Sequence, residues 1–433
     1  MIELHPYQHE SVMWLASRKQ AMIAHEMGLG KSAIAIRAAD RVGAKNILVV
    51  CPATARENWA DEFKKFATVA RPVNVIVNGK QTYKPGVNII SPNLMVTLKT
   101  SKKKWCVLVP DEAHGYKSIH TQRSKALLGK GGYVHRAKRT WLLTGTPAPN
   151  HVGELWPFLR VFGATQLPYW KFVYTYCRVR EGGFGERQIV GSKVEKANEI
   201  KALLAPVMLR FLKRDVLKDM PALTLTNHYV EADPKAFIPS PAQKAELKKE
   251  MAFLTEVIES DTFAHDPAAF ASSISALRRI IGLQKVKAVG NQIADELSLG
   301  AYRKIVIFGV HKDVIAALAD RLREFGVVVI TGATPTTKRH GLVEKFQEDP
   351  NIGVFLGNIQ AAGTAINLTA ASQVAFIEYS FVPGDNAQAL MRCHRIGQGE
   401  PVYARFFGIQ GSIDAQISAI LKTKTNELLS VFN

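Results

Sequence analysis

Residues 24–40, AHEMGLGKSAIAIRAAD, contain a glycine-rich turn, a lysine and a serine, followed by a pattern typical of a helix. Backbone N–H groups at a helix N-terminus bind phosphate oxygens, and glycines let these groups approach closely. In such a loop Lys31 reaches the β- and γ-phosphates of a nucleotide and Ser32 holds Mg²⁺. The spacing G-x-x-x-x-G-K-S/T has its first glycine at residue 25, where this chain has His25. The stretch predicts a phosphate-binding loop with one departure, although glycine turns also serve ordinary structural roles.

Two acidic residues follow an apolar run in WCVLVPDEAH, residues 105–114. A carboxylate at the end of a buried strand can hold the magnesium ion of a nucleotide, and this is the role predicted for Asp111. The neighbouring Glu112 would orient and deprotonate the attacking water. A surface acidic turn after a strand is the alternative. The glycine loop upstream in the same α/β half favours the nucleotide hypothesis.

Residues 388–398, QALMRCHRIGQ, place two arginines three positions apart. On a helix, Arg392 and Arg395 would share one face. Arginine is always charged and presents its donors in a rigid plane, which suits stabilisation of the charge on a transferred phosphoryl group. A solvated basic face is the alternative for this stretch.

The elements that must position these groups alternate along the first 160 residues. Buried strands are predicted over residues 46–52, 73–77, 105–110 and 140–145. A helix is predicted over residues 57–67, where Trp59, Phe63 and Phe66 recur at helical spacing. These three side chains are expected in the core rather than as stacking platforms for bases. Strands that alternate with helices indicate a parallel sheet covered on both faces.

The strand pattern fades between about residues 152 and 300 and then resumes. Helices are predicted over residues 243–260 and 268–283, and a hairpin or exposed loop over residues 179–193. Further on, the predicted strands cover residues 304–310, 327–331, 352–358 and 373–380, and the predicted helices cover residues 313–326 and 334–349. The chain is therefore predicted to be an α/β protein with two similar parallel-sheet lobes and a helical insertion between them.

Composition narrows the class of protein. The 433 residues are enough for two or three domains, and 56 lysines and arginines against 37 acidic residues give a net charge of +19. This excess favours a polyanionic partner such as nucleic acid, although a generally basic proteome would also produce it. The four cysteines form no C-x-x-C pair, which predicts a reducing compartment and no structural metal. Neither a secretion signal nor an 18-residue apolar run is found, so we expect a cytoplasmic protein (nuclear in a eukaryote) without a membrane partner.

Taken in order, these motifs resemble those of the superfamily 2 nucleic-acid-dependent ATPases, and within them the Swi/Snf-type DNA translocases. The resemblance covers nearly the whole chain and is carried by LHPYQHESVMW, AHEMGLGKS, VVCPATARENWADEF, VPDEAHGYKS, LLTGTPAPN, VMLRFLKRDVLKDMP, KIVIFGVHKDV, GATPTTKRHGLVEKFQ and HRIGQ. Residues 275–297 and the short middle resemble the annealing-helicase, or HepA-related, group. Because this family does not need the first glycine of the loop, His25 is compatible with nucleotide binding.

The resemblance implies two RecA-like lobes. The first, with motifs Q, I, Ia, II and III, would cover residues 1–206, a helical linker or protrusion residues 207–286, and the second lobe, with motifs IV, V and VI, residues 287–433. The implied nucleotide-binding residues are Gln8, Met27, Gly28, Leu29, Gly30, Lys31 and Ser32. Ser32 and Asp111 are the implied metal ligands, and the implied catalytic residues are Lys31, Glu112, Arg392 and Arg395. Residues implied to couple hydrolysis to nucleic acid are His114, Lys117, Thr144, Thr146, Arg339, Gly363 and Thr364.

The predicted activity is hydrolysis of ATP, with Mg²⁺, by a motor that moves along double-stranded or forked DNA. Such a motor would remodel forks or anneal strands. Two alternatives are compatible with the same motifs. One is a helicase that separates strands of DNA or RNA, and the other is a nucleotide-gated DNA clamp that hydrolyses ATP only slowly. Motif V departs from the commoner family pattern at Thr364 and Ala365, which concerns the coupling of hydrolysis to DNA contact.

Overall fold

The computed structural model of this chain describes residues 3–98, 104–148, 150–181, 187–217, 220–233, 274–359 and 366–411, with residues 245, 248–250 and 252. The chain divides into two units, with the boundary between residues 219 and 220. Of the helices that the structure describes, none combines the length and apolar character needed to cross a bilayer.

The first unit is built on one large parallel sheet. Its strands are β1 Gln20–Ile23, β2 Ile47–Val50, β3 Val73–Val75, β4 Val87–Ile90, β5 Trp105–Pro110, β6 Ala137–Leu143, β7 Cys177–Glu181, β8 Arg187–Ser192 and β9 Met208–Leu209. Its helices are α1 Pro6–Ala16, α2 Lys31–Arg41, α3 Arg56–Phe66, α4 Pro92–Thr97, α5 Gln122–Leu128, α6 Trp156–Val161, α7 Tyr169–Tyr176, α8 Ala197–Leu204 and α9 Lys213–Val216.

Seven of these strands form the sheet in the order β3-β4-β2-β5-β6-β1-β9, and every neighbouring pair is parallel. The central strands β2 and β4 are buried along their whole length, as expected where helices cover both faces. Because all strands run in one direction, β5, β6 and β1 end side by side at one edge of the sheet. The predicted parallel sheet is confirmed, and the segments after these three strands contain most of the site residues predicted in this unit.

The second unit repeats this arrangement. Its strands are β10 Leu223–Tyr229, β11 Ile305–Gly309, β12 Val327–Ile330, β13 Val354–Asn358, β14 Gln373–Phe376 and β15 Val402–Gly408. Its helices are α10 Ser275–Ser298, α11 Lys312–Arg321, α12 Thr336–Glu348 and α13 Pro383–Leu390. The six strands form a parallel sheet in the order β10-β15-β14-β11-β13-β12. Two parallel-sheet α/β units therefore confirm the predicted fold class.

The segment between the predicted lobes contributes to both sheets. Strand β9 extends the first sheet beside β1, and β10 pairs with β15 at the edge of the second. The antiparallel pair of β7 and β8 confirms the hairpin predicted over residues 179–193. Most of the helix predicted over residues 243–260 lies outside the described residues, and the helix predicted from residue 268 is described from Ser275 onward. The functional bounds of the lobes stay a prediction.

Candidate nucleotide-binding site

The loop between β1 and α2 has the backbone that its glycines predict. Gly28 and Gly30 adopt positive φ angles of 84° and 68°, which L residues with side chains rarely adopt. Gly30 is the N-cap of α2, so Lys31 begins the helix. The backbone angle therefore favours glycine at position 30, and a Cβ there would lie 2.3 Å from Gln8 Nε2, so the end of the Gln8 side chain would have to move. The loop thus directs N–H groups of a helix N-terminus to the carboxyl edge of the sheet.

Helix α1 holds this loop from one side. The Tyr7 hydroxyl donates a hydrogen bond to the Leu29 carbonyl at 3.1 Å, and Gln8 Nε2 contacts the same oxygen at 3.4 Å. The amide oxygen of the same side chain, Gln8 Oε1, accepts a hydrogen bond from the His5 backbone N–H at 2.9 Å. Gln8, the implied adenine contact, is therefore buried directly against the loop. Its contact with adenine stays a prediction.

His25 is fully buried inside the first unit, in place of the usual first glycine of the loop. Its Nδ1 accepts a hydrogen bond from the Phe211 backbone N–H at 3.1 Å, and its Nε2 lies 2.7 Å from Ser11 Oγ. Burial, together with the nearby cations Lys31 and Arg210, lowers the pKa of His25 to about 3, so the ring is neutral at neutral pH. Among the described residues other than glycine, only Glu112 has a positive φ, so the backbone of His25 does not need the left-handed conformation. No glycine is needed at this position.

Lys31 lies at the start of α2 and folds back over the loop. Its Nζ donates hydrogen bonds to the His25 carbonyl at 3.0 Å and to the Glu26 carbonyl at 3.2 Å. An ammonium group held over a helix N-terminus is an anion-binding arrangement. Met27 packs beside the segment after β6, where a Cβ on Gly145 would lie 2.6 Å from Met27 Cγ.

Asp111 follows β5, two strands away from β1 in the sheet. Its Oδ2 accepts a hydrogen bond from the indole N–H of Trp59 at 2.8 Å, and its Oδ1 accepts one from the Glu112 backbone N–H at 2.9 Å. Burial and, second, the charge of the neighbouring Glu112 raise the pKa of Asp111 to about 6, although the hydrogen bond from Trp59 and the charge of Lys31 act in the opposite direction. The sequence placed Trp59 in the core, which its burial confirms, but gave no sign of its bond to Asp111.

Glu112 has a left-handed backbone, with φ 49° and ψ 53°. Such a conformation is unfavourable for a residue with a side chain and is concentrated at functional sites. Glu112 Oε2 lies 3.4 Å from His114 Nδ1. The same nitrogen lies 3.2 Å from Thr144 Oγ1 and 3.4 Å from Thr146 Oγ1. The structure therefore places His114 between Glu112 and the two threonines that follow β6.

Lys117 makes a contact that the sequence did not suggest. Its Nζ lies 2.6 Å from Glu154 Oε1, and the Glu154 side chain is only 8% exposed. Asn150 also donates to Glu154, from its side chain at 2.7 Å and from its backbone N–H at 3.1 Å. Lys117 thus ties the segment after β5 to the segment after β6. A contact with nucleic acid stays a prediction for this residue.

The two arginines of the second unit do not lie on a helix, and this part of the prediction is wrong. Helix α13 ends at Leu390, and Arg392 and Arg395 lie in the turns that follow it. The Arg392 carbonyl accepts a hydrogen bond from the Leu368 N–H at 2.9 Å instead of continuing a helix, and Cys393 is buried in the core. Arg395 Nη1 contacts the Ile366 carbonyl at 3.4 Å. Tertiary contacts therefore shape this segment more strongly than local helix propensity.

The remaining implied residues of the second unit lie apart from that turn or outside the described residues. Arg339 on α12 donates to the Thr334 and Thr331 carbonyls, each at 3.0 Å, and so closes the loop after β12. Gly363 and Thr364 lie outside the described residues. Gln398 fixes the HRIGQ segment by donating to the carbonyls of Thr369 and Ala371.

Comparison with known proteins places these features in a family. Residues 7–280 match the SNF2-related domain and residues 284–397 match the Helicase conserved C-terminal domain. The DNA annealing helicase and endonuclease ZRANB3 of Mus musculus is 28% identical over 451 residues, which cover 100% of this chain and 41% of that protein. The SWI/SNF-related matrix-associated actin-dependent regulator of chromatin subfamily A-like protein 1 of Xenopus tropicalis is 30% identical over 442 residues, covering 98% of this chain and 44% of that protein.

A solved structure, the Sulfolobus solfataricus SWI2/SNF2 ATPase core in complex with dsDNA, is similar with TM-score 0.46 and 22% identity over 99% of this chain and 97% of that one. The chain spans less than half the length of the two curated relatives named above. The SNF2-related match covers more than half of the chain and includes both the glycine loop and the acidic pair. The chain therefore belongs to the SNF2-related family.

Proposed function

We propose that this chain is a DNA-dependent ATPase that moves along double-stranded DNA. One observation carries the proposal. A glycine loop that leads into α2, and the acidic pair that follows β5, lie at the same edge of one parallel sheet. Ligands of open α/β sheets bind at the carboxyl ends of the strands. This placement fits the nucleoside triphosphate that the residues of the loop predict.

The loop would bind the phosphates of ATP. Backbone N–H groups of Gly28, Leu29 and Gly30 and the ammonium of Lys31 supply positive charge, with Met27 beside them and Gln8 available for adenine. Ser32 and Asp111 would hold Mg²⁺, since hydroxyl and carboxylate oxygens are the ligands that this ion prefers. The buried Asp111, whose pKa is raised to about 6, fits this role because a cation offsets the burial of its charge. When bound, the ion neutralises charge on the phosphate oxygens.

Glu112 would take the proton of the attacking water. Its strained backbone holds the carboxylate beside Asp111 and near His114. Because His114 contacts Thr144 and Thr146, a change at the γ-phosphate would pass to the segment after β6. Arg392 and Arg395 of the second unit would complete the charge stabilisation when the two units close around ATP. Hydrolysis would then require closure, and repeated closure would produce movement along DNA.

DNA is the proposed track. The net charge of +19 suits a phosphate backbone, and the names of the two curated relatives refer to DNA annealing and to chromatin. Residues proposed to contact DNA or to couple it to hydrolysis are His114, Lys117, Thr144, Thr146, Arg339, Gly363 and Thr364. Forked DNA is the finer proposal, based on the resemblance of residues 275–297 to the annealing-helicase group.

The decisive experiment measures steady-state ATPase rates without nucleic acid and with single-stranded DNA, duplex DNA, forked DNA and duplex RNA. Stimulation by duplex or forked DNA supports the proposal, whereas stimulation mainly by single strands or RNA would indicate a conventional helicase. No stimulation at all would favour a clamp.

Lys31→Ala should abolish turnover and weaken nucleotide binding, and Glu112→Gln should retain binding while hydrolysis is lost. Normal turnover in Glu112→Gln would exclude it as the base.

The arginine assignment needs a separate variant. Arg395→Ala should lower kcat by about 10³-fold if this side chain stabilises the transferred phosphoryl group. Arg323→Ala is the matched control, because Arg323 is 79% exposed on the same unit and pairs only at the surface with Asp320. A wild-type rate in Arg395→Ala would move the role to another residue.

A further inference from the structure

Residues 207–213, here called the strap, lie beside β1 and the loop that follows it. Three backbone hydrogen bonds join alternate residues of the two segments, at 2.7 Å from Met22 N to Val207 O, 2.8 Å from Ala24 N to Leu209 O, and 3.0 Å from Glu26 N to Phe211 O. Since β1 ends at Ile23, this pairing continues past the strand into the phosphate loop. The loop is therefore bonded directly to a segment that is remote in sequence.

Side chains reinforce this pairing at the same place. Arg210 Nη1 donates to the Ala24 carbonyl at 2.8 Å, and the strap's Lys213 N–H donates to Glu26 Oε2 at 2.8 Å. Between them, His25 Nδ1 accepts from the Phe211 N–H at 3.1 Å. With Nδ1 accepting, the ring hydrogen is assigned to Nε2, which donates to Ser11 Oγ at 2.7 Å. Consecutive loop residues 24, 25 and 26 thus all hold the strap.

The residue proposed to bind phosphate touches the same loop positions. Lys31 Nζ donates to the carbonyls of His25 and Glu26 at 3.0 and 3.2 Å. When ATP is bound, its phosphates attract this ammonium group, and the hydrogen bonds to the two carbonyls weaken. Any resulting shift of residues 25 and 26 is passed to Phe211 and Lys213 through the bonds described above. Along the chain, the strap leads towards the unit boundary between residues 219 and 220.

We propose that His25 is a positioning residue that transmits the nucleotide state from Lys31 to the strap, and so to the chain segment connecting the two units. This inference rests on the proposed function, because it requires ATP at Lys31. The role also accounts for a buried neutral imidazole at the start of the loop, where it uses one nitrogen for α1 and the other for the strap. Ser11 provides the α1 contact and supports the ring on the opposite side.

Hydrogen exchange of the full chain tests the inference without any substitution. Exchange of the amides over residues 207–213 is measured without nucleotide, with Mg²⁺–ADP and with a non-hydrolysable ATP analogue, while nucleotide binding is followed by a fluorescent ADP. Exchange should differ by about threefold or more between the ADP and ATP-analogue states. Saturated binding with no difference in these amides would overturn the inference. Failure of nucleotide binding itself would instead contradict the proposed function.

Three variants separate the contacts of His25. His25→Ala loses both, His25→Asn keeps an oxygen close to the position of Nδ1 for the Phe211 N–H, and Ser11→Ala removes only the α1 contact. His25→Ala should reduce the base pairs travelled per ATP by about 10-fold, whereas the KM for ATP changes by less than about threefold. His25→Asn and Ser11→Ala should keep most of the coupling. An equal reduction of the base pairs travelled per ATP in Ser11→Ala and His25→Ala would show that packing around the ring, not its hydrogen bond to the strap, is responsible for the coupling.

Discussion

Replacement of Lys117 distinguishes a structural role from a DNA contact. The Lys117→Met variant keeps the aliphatic stem but leaves the Glu154 carboxylate, 8% exposed, without its cation. Removing one partner of a buried ion pair typically costs about 3–5 kcal/mol. Here Lys117 is 32% exposed and Asn150 still donates to Glu154, so the expected loss is about 2 kcal/mol. For a unit of roughly 200 residues this corresponds to a Tm lower by about 4–8 °C.

The assay combines thermal unfolding with a double-mutant cycle. Glu154→Gln in the Lys117→Met background removes the unpaired charge, so the double variant should recover more than half of the lost stability. DNA binding is measured in parallel as the DNA concentration that gives half-maximal ATPase activity, at several salt concentrations. A lysine that neutralises one phosphate contributes about one unit to the salt slope. An unchanged Tm together with a reduced slope would refute the structural reasoning and assign Lys117 to DNA.

Three further changes test the site. Gly30→Ala should weaken nucleotide binding by about 10-fold or more in a fluorescent-ADP titration, because its φ of 68° is unfavourable for alanine and the new Cβ would displace the end of the Gln8 side chain. Gly43→Ala, which has a similar φ of 61° but open space around the Cβ, should leave binding unchanged. Trp59→Phe should raise the Mg²⁺ concentration needed for half-maximal ATPase by about 10-fold, since it removes a hydrogen bond that orients Asp111. His25 has its pKa lowered to about 3, so its contribution to stability is complete above about pH 6.5 and falls by up to about 1.4 kcal/mol per pH unit below it. Between pH 7.5 and pH 5, the free energy of unfolding measured in urea should decrease less for His25→Asn than for the wild type. An equal decrease in both proteins would contradict the lowered pKa of His25.

The sequence predicts several of the strands that are buried on both sides, although β4, also buried along its whole length, is not among them. β2 and β5, and in the second unit β11 and β13, are short apolar runs between helical stretches, and such runs need no tertiary information to be recognised. β15 is not among the predicted strands because Arg405 interrupts its apolar pattern. The Glu296 carboxylate, 2.6 Å away, and the Tyr302 hydroxyl accept hydrogen bonds from Arg405 and make its burial possible. β10 was missed because it is an edge strand whose side chains are mostly exposed.

The same distinction applies to the candidate site. Local spacing predicted the glycine loop and the acidic pair, since each depends on neighbours in sequence. Spacing could not predict three hydrogen bonds whose partners lie far apart along the chain. They join Trp59 to Asp111, Lys117 to Glu154, and His25 to the strap. The helix expected for Arg392 and Arg395 was wrong for a related reason, since distant contacts hold that turn.

The position of the strap in the sheet explains why the nucleotide state would move it rather than another neighbour of the loop. β1 has β6 on one side, paired over four residues, and β9 on the other, paired over two. β6 is itself held by β5, whereas β9 is the last strand of the sheet. A displacement of the loop therefore meets less resistance on the β9 side, because an edge strand, paired on one side only, opens at lower free energy than an interior strand paired on both sides. Strengthening that edge should accordingly reduce the nucleotide-dependent change in exchange over residues 207–213 even while ATP binding is retained.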